Sequence, residues 1–292
     1  MNKNVLITDL DNTLFDWFSI WHASNAAMLE KVYEITGLNS DVILPEMKKV
    51  HQEHGTAEYA FILQSLPSLL SLYGSEEGVN MALDEAIHAF RSARKKHFQL
   101  YPTVESTLKS LKEKGVLIVA YTESKSYYTS YRLKTFGLDS YIDYLFSPPD
   151  HELPDELGSG TKFNFQLTKP RHTPEGETKP NPKLLLDIIS EVGANVEDCV
   201  YIGDSEMKDI DMAQQAGVTD VFARYGTSHF EQNVEGYDLL RSVTHWTDAD
   251  VEREKMIKEN YHSMPPTYSV DSFSELLDLF DFCAFDGKKH EQ

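Results

Sequence analysis

A short apolar run, Val5-Leu6-Ile7-Thr8, ends in two aspartates one residue apart, Asp9 and Asp11. No other segment constrains the fold as much. Such a run, bounded by Asp-Leu-Asp-Asn-Thr, reads as a buried parallel strand. In open α/β sheets ligands gather at the carboxyl ends of strands, where this one delivers its carboxylates. Successive strand residues face opposite sides, so Asp9 and Asp11 share a face. Two carboxylates placed like that repel each other, and a divalent cation or a shared proton relieves the repulsion. A solvated Asp-rich turn would use the same letters, so the rest of the chain has to decide.

Strand and helix patterns alternate from Tyr101-Pro102 onward. Thr103 is placed to cap a helix carrying Val104, Leu108 and Leu111, which Gly115 stops. Val116 to Tyr121 reads as a strand ending at Thr122, and a helix rich in tyrosine (Tyr127, Tyr128, Tyr131) runs to Gly137. Tyr144-Leu145-Phe146 is a short strand, and Leu185, Ile188, Ile189 and Val192 give an amphipathic helix closed by Gly193. Cys199 to Gly203 is a strand, Asp209 to Ala216 a helix, and Val221-Phe222-Ala223 a further strand. Ser272 and Glu275 have the spacing of a capping box. This alternation predicts a doubly wound parallel, Rossmann-like sheet with helices on both faces.

From Phe15 to about Gln99 the pattern is helical throughout. Met28, Leu29, Val32 and Ile35 follow Trp21 at helical spacing, and Val79, Leu83, Ala86, Ile87 and Phe90 form a second stripe. The block separates the first strand from the next α/β unit. It therefore reads as an inserted helical domain, residues 15–99, in a core made of 1–14 and 100–292. Two stretches of that core, 147–178 and 241–266, read as insertions, the second with a short helix near Val251 to Glu259. The first is too long for a plain connection. With Lys162, Lys169, Arg171, Phe163 and Phe165 it would be either a flap over the site entrance or a solvated excursion.

At 292 residues the chain can bury a large core or two moderate ones. A formal charge of −20, from 27 basic and 47 acidic residues, disfavours nucleic acid and anionic membrane surfaces as partners. No apolar stretch is long enough to cross a bilayer, and no signal-peptide pattern precedes the first strand, so a cytoplasmic protein is expected. Cys199 lies in an apolar run and reads as core rather than reactive. The basic group Arg91, Arg94, Lys95, Lys96 and His97 reads as the solvated last turn of a helix. The helical block's histidines, His22, His51, His54, His88 and His97, have no metal spacing.

Four strand ends or loops thus supply an ordered set: Asp9 and Asp11, Thr122, Lys179, then Asp204 and Asp209. The set resembles the haloacid dehalogenase-like hydrolase superfamily. The resemblance is carried by Ile7-Thr8-Asp9-Leu10-Asp11-Asn12-Thr13-Leu14, Thr122, Lys179-Pro180-Asn181-Pro182 and Tyr201-Ile202-Gly203-Asp204-Ser205, with Ile210, Ala213, Ala216 and Gly217 after Asp209. It implies that Asp9 attacks phosphorus to form an aspartyl-phosphate and that Asp11 serves as acid, then base. Thr13 would orient Asp11 or cap the following backbone. Thr122 and Lys179 would hold the phosphoryl oxygens, Lys179 being preferred over Lys169 of the other Lys-Pro pair. Mg²⁺ would sit on Asp9 and Asp204, with the Asp11 carbonyl facing it and Asp209 behind.

The resemblance makes the helical insertion a mobile cap that selects the substrate. Glu123 departs from the pattern, since relatives usually carry a small or amide residue there. Relatives that dehalogenate lack the acid at the place of Asp11. The implied function is a Mg²⁺-dependent phosphatase for a small phosphorylated metabolite. A phosphomutase of the same fold and a non-catalytic binding relative are the alternatives.

Overall fold

The computed structural model describes residues 2–150, 164–227, 234–260 and 264–287. They form two compact units, one of residues 1–16, 100–228 and 257–292, the other of 17–99 and 229–256.

The first unit is built on a parallel sheet. In chain order its strands are β1 Asn2–Lys3, β2 Val5–Thr8, β3 Leu117–Tyr121, β4 Tyr144–Ser147, β5 Lys169–His172, β6 Cys199–Gly203, β7 Thr219–Ala223, β8 Tyr268–Val270 and β9 Asp281–Phe282. Seven pair in the order β5-β4-β3-β2-β6-β7-β8, and β1 pairs with β9 in a small second sheet. Every pairing in the large sheet is parallel, with Val5 opposite both Leu117 and Cys199.

All of β2 is buried, as its unbroken apolar run requires. Val5, Ile7, Val119, Tyr121, Cys199 and Tyr201 share one face with Leu185, Ile188 and Met212 from the helices Pro182–Glu191 and Asp211–Gln215. The residues between them, Leu6, Ile118, Ala120, Val200 and Ile202, point the other way and are equally buried. Both faces are covered, so the expected doubly wound sheet is found. The strand order turns at β2, with β3 on one side and β6 on the other. Such a switch point opens a crevice at the strands' carboxyl ends, where Asp9, Thr122 and Asp204 follow directly.

Several local expectations are corrected. Thr103 does not cap its helix through its side chain; it has φ 72°, and its hydroxyl meets Ser272 Oγ at 2.9 Å and accepts from Ser274 N at 3.2 Å. The capping box is not made, because Glu275 accepts from the amide of Asp271 at 3.2 Å rather than from Ser272. The helix read from Asp209 begins earlier, as a π-turn over Glu206–Ile210. The 147–178 segment contributes an edge strand, β5, where Lys169 lies over the Tyr144 ring and Arg171 pairs with Glu191 at 2.8 Å. Lys162 and Phe163 lie outside the described residues.

The second unit holds the helices Trp17–Thr36, Ser40–His54, Pro67–Tyr73, Glu76–Ala82 and Asp84–His97. Trp21, Met28, Leu29 and Val32 meet Ile43, Met47, Leu66, Leu69, Val79, Leu83 and Ala86 in one apolar core. The basic last turn of Asp84–His97 leaves Lys95, Lys96 and His97 exposed, as expected. Residues 229–256, read from sequence as part of the α/β core, cluster with this unit instead. Val243 on the helix Val234–Val243 joins its core, Tyr237 stacks on Phe18 at 4.2 Å, and Gln52 donates to the carbonyl of Trp246 at 2.9 Å.

Candidate active site

The turn after β2 is tight. Asn12 takes φ 59°, a left-handed conformation that Asn tolerates, and its amide donates to Phe15 O at 2.8 Å. Tyr225 closes the far side, its hydroxyl donating to Thr13 O at 2.6 Å. A Cβ at Gly226 would collide with Asn12 O, so this loop approaches only with glycine.

Lys179 is 2 % exposed. Its Nζ donates to Asp9 Oδ1 at 2.6 Å and to Asp209 Oδ1 at 2.8 Å, and it lies over the rings of Tyr121 and Tyr201 at 4.9 and 5.6 Å. Burial opposes its charge, but Asp209 and Asp9 outweigh burial and hold the ammonium well above its ordinary range. Asp209 is bound on all sides, accepting also from Tyr201 OH at 2.7 Å and Ser205 N at 3.2 Å. Gly203 is required beneath it, since a Cβ there would run into the Asp209 carboxylate.

Asp9, Asp204 and Asp209 each offer a carboxylate oxygen within 4.8 Å of the others. Three carboxylates against one ammonium leave a formal charge of −2 in a largely buried pocket. Burial pushes Asp9 up to about 8 against the pull of Lys179, with Asp209 and Asp11 adding to the rise. Asp204 is likewise raised, by burial first and then by Asp9. Among the described residues only its own backbone amide reaches the Asp204 carboxylate. An all-oxygen pocket with surplus negative charge and an acid short of donors fits a hard divalent cation.

Asp11 has its own set of partners. Its Oδ2 accepts from Ser124 Oγ and, at 3.4 Å, from Thr122 Oγ1; its Oδ1 faces Arg132 Nη1 at 3.2 Å. Thr13 does not orient Asp11, because its hydroxyl turns instead to Asp9 Oδ2 at 3.3 Å. Glu123 is occupied elsewhere. One oxygen accepts the Lys179 amide at 2.9 Å and the other pairs with Lys208 at 3.1 Å, so its carboxylate ties together the loops bearing Thr122, Lys179 and Asp209. Asp9, Asp11, Thr122, Lys179, Asp204 and Asp209 therefore converge. Ser124, Arg132 and Tyr225 join them without having been singled out from the sequence, and so does Tyr201, which entered there only as part of the strand-end motif. A Tyr128/Arg132 pair at i,i+4 was the one legible trace of Arg132. Cys199 is inert core, its thiol pushed up to about 12 by burial.

Comparison with known proteins agrees with this architecture. A glyceraldehyde 3-phosphate phosphatase from Methanopyrus kandleri is 26% identical over 232 residues, covering 77% of this chain and 85% of that protein. A phosphoglycolate phosphatase from Pasteurella multocida is 31% identical over 130 residues, covering 44% of this chain and 47% of its own length. The crystal structure of a 2-haloacid dehalogenase from Pseudomonas syringae pv. Tomato DC3000 matches in fold, with a TM-score of 0.53 at 17% identity, over 96% of this chain and 98% of that one. The family model of the haloacid dehalogenase-like hydrolases matches residues 3–217, and the chain belongs to that family.

Proposed function

We propose that the protein is a Mg²⁺-dependent phosphatase that hydrolyses a small phosphorylated metabolite through an aspartyl-phosphate on Asp9. The observation that carries this reading is the Asp9–Lys179–Asp209 chain beside Asp204 at the sheet's switch point. Asp9 is the nucleophile, and Lys179 both orients it and offsets charge on the transferring phosphoryl oxygens. Asp11 protonates the leaving alcohol and then takes a proton from the attacking water. Thr122 contributes a hydroxyl for the phosphoryl oxygens. Asp9 and Asp204, with the Asp11 carbonyl, would hold the cation, while Asp209 fixes Lys179. When bound, Mg²⁺ would neutralise phosphoryl charge.

The helical unit is read as the substrate-selecting cap, an assignment that rests on the family resemblance. Asp11 speaks against dehalogenation, which needs no acid two residues after the nucleophile. The test is turnover of phosphorylated sugars, nucleotides and organic acids, including phosphoglycolate and glyceraldehyde 3-phosphate, for which relatives are named. Phosphate release that chelation abolishes and Mg²⁺ restores is expected. Turnover unaffected by chelation, isomerised phosphate, or halide release from haloacids would each replace the reading.

A further inference from the structure

Arg132 is 4 % exposed, and a guanidinium is not buried without partners. It lies on the helix Ser126–Thr135, the next helix after β3 and Thr122. Its planar group rests over the rings of Phe15 at 5.7 Å and Tyr128 at 6.0 Å, and Nη1 reaches Asp11 Oδ1 at 3.2 Å. Phe15 also stacks on Phe136 at 5.1 Å, so the wall that carries the arginine is itself fixed. The other Asp11 oxygen is held by Ser124 and Thr122. A carboxylate held at both oxygens, with one holder wedged between aromatic faces, has little rotational freedom left.

We propose that Arg132 is the positioning residue for Asp11, fixing the carboxylate in the orientation from which it exchanges a proton with the leaving and attacking oxygens. The proposal rests on the reading of Asp11 as the acid–base group. Arg132 acts through Asp11, which it contacts at Oδ1. Its planar fork matches a carboxylate and stacks on aromatic faces, which a lysine ammonium does neither of to the same degree. Correct placement of an acid is worth most where the leaving oxygen is a poor one. A good leaving group departs without the proton.

The test compares aryl phosphates of graded leaving group, para-nitrophenyl phosphate against phenyl phosphate, in the full-length chain with Mg²⁺. Arg132→Gln is expected to lower kcat on phenyl phosphate by about 100-fold, the lower end of what acid–base catalysis contributes, and by less than about 10-fold on para-nitrophenyl phosphate. Arg132→Lys should recover part of the difference, and KM should change less than kcat on both. Asp11→Asn is the reference and should show the same leaving-group dependence, more steeply. If Arg132→Gln fails to fold, judged by its thermal melt, Arg132→Lys alone carries the comparison and should still lose more on phenyl phosphate. An equal loss on both substrates, or a phenyl phosphate rate equal to or above wild type, overturns the proposal. Failure of the wild type to release phosphate from any substrate would instead sink the phosphatase reading, a separate outcome.

Discussion

The two units differ in whether they bury charge: among the described residues the buried Lys, Arg and Asp side chains all lie in the α/β unit. In the helical unit the buried side chains of Trp21, Ser24, Asn25 and His51 are neutral and each donates to a backbone carbonyl: Trp21 to Ala57 at 2.8 Å, Ser24 to Ile20 at 2.6 Å, Asn25 to Trp21 at 2.9 Å, His51 to Val243 at 2.6 Å. The α/β unit makes such neutral bonds too, as from Thr168 to Ile142 O at 2.9 Å, but it also buries charges that meet each other, Lys179 with Asp9 and Asp209, and Arg132 with Asp11. A donor bonded to backbone contributes about 1 kcal/mol and fixes local geometry. A buried charge network is seldom a net gain in stability, and breaking one half of it is costly. The first arrangement builds a scaffold. The second is kept for chemistry.

This contrast predicts where substitutions hurt. Lys179→Met should have the largest effect, because it leaves Asp9, Asp204 and Asp209 without their ammonium. We expect activity to fall by at least about 1000-fold and stability by about 3–5 kcal/mol in denaturant titration. Added Mg²⁺ should recover stability but not activity, and a variant as stable as wild type without cation would break the comparison.

His51→Gln should matter less, and only to stability. Burial pushes the His51 ring down to about 4, so the ring is neutral in the fold. An unfolded histidine titrates near 6.5. The unfolded chain therefore takes up the proton first. Stability tied to this group is complete above about pH 6.5 and is lost as pH falls towards about 4. Between pH 7 and pH 5 the loss is about 2 kcal/mol. Wild type should show this loss in urea titrations, and His51→Gln should remove most of it. The same pH slope in both proteins would show that His51 is not the group responsible.

How much of this was legible follows the same divide. The strand–carboxylate junctions at Asp9 and Asp204 were readable as apolar runs stopped by charge, and the Lys179 loop through the resemblance of Lys179-Pro180-Asn181-Pro182 to the family's pattern. Arg132 left only its spacing from Tyr128 as a trace, since a lone arginine on a short helix has the letter pattern of a solvated face; Phe15, whose ring it lies over, is more than a hundred residues away in sequence. The edge strand β5, Lys-Pro-Arg-His, is exposed at all four positions and so lacks the apolar signal that revealed the inner strands. Residues 229–256 were assigned to the α/β core because chain order favoured it. What places Val243 in the helical core is packing across nearly two hundred residues from His51.

The central claim is that Asp9 attacks phosphorus. The most direct measurement is a crystal structure of the protein with Mg²⁺ and beryllium fluoride, a mimic of the aspartyl-phosphate, with Asp9→Asn as the control. The account predicts the beryllium bonded to an Asp9 carboxylate oxygen in the wild type, with Lys179 against the fluorides, and no adduct in Asp9→Asn, whose phosphatase activity should be lost. An adduct on another residue, or Asp9→Asn turning over near the wild-type rate, would contradict it.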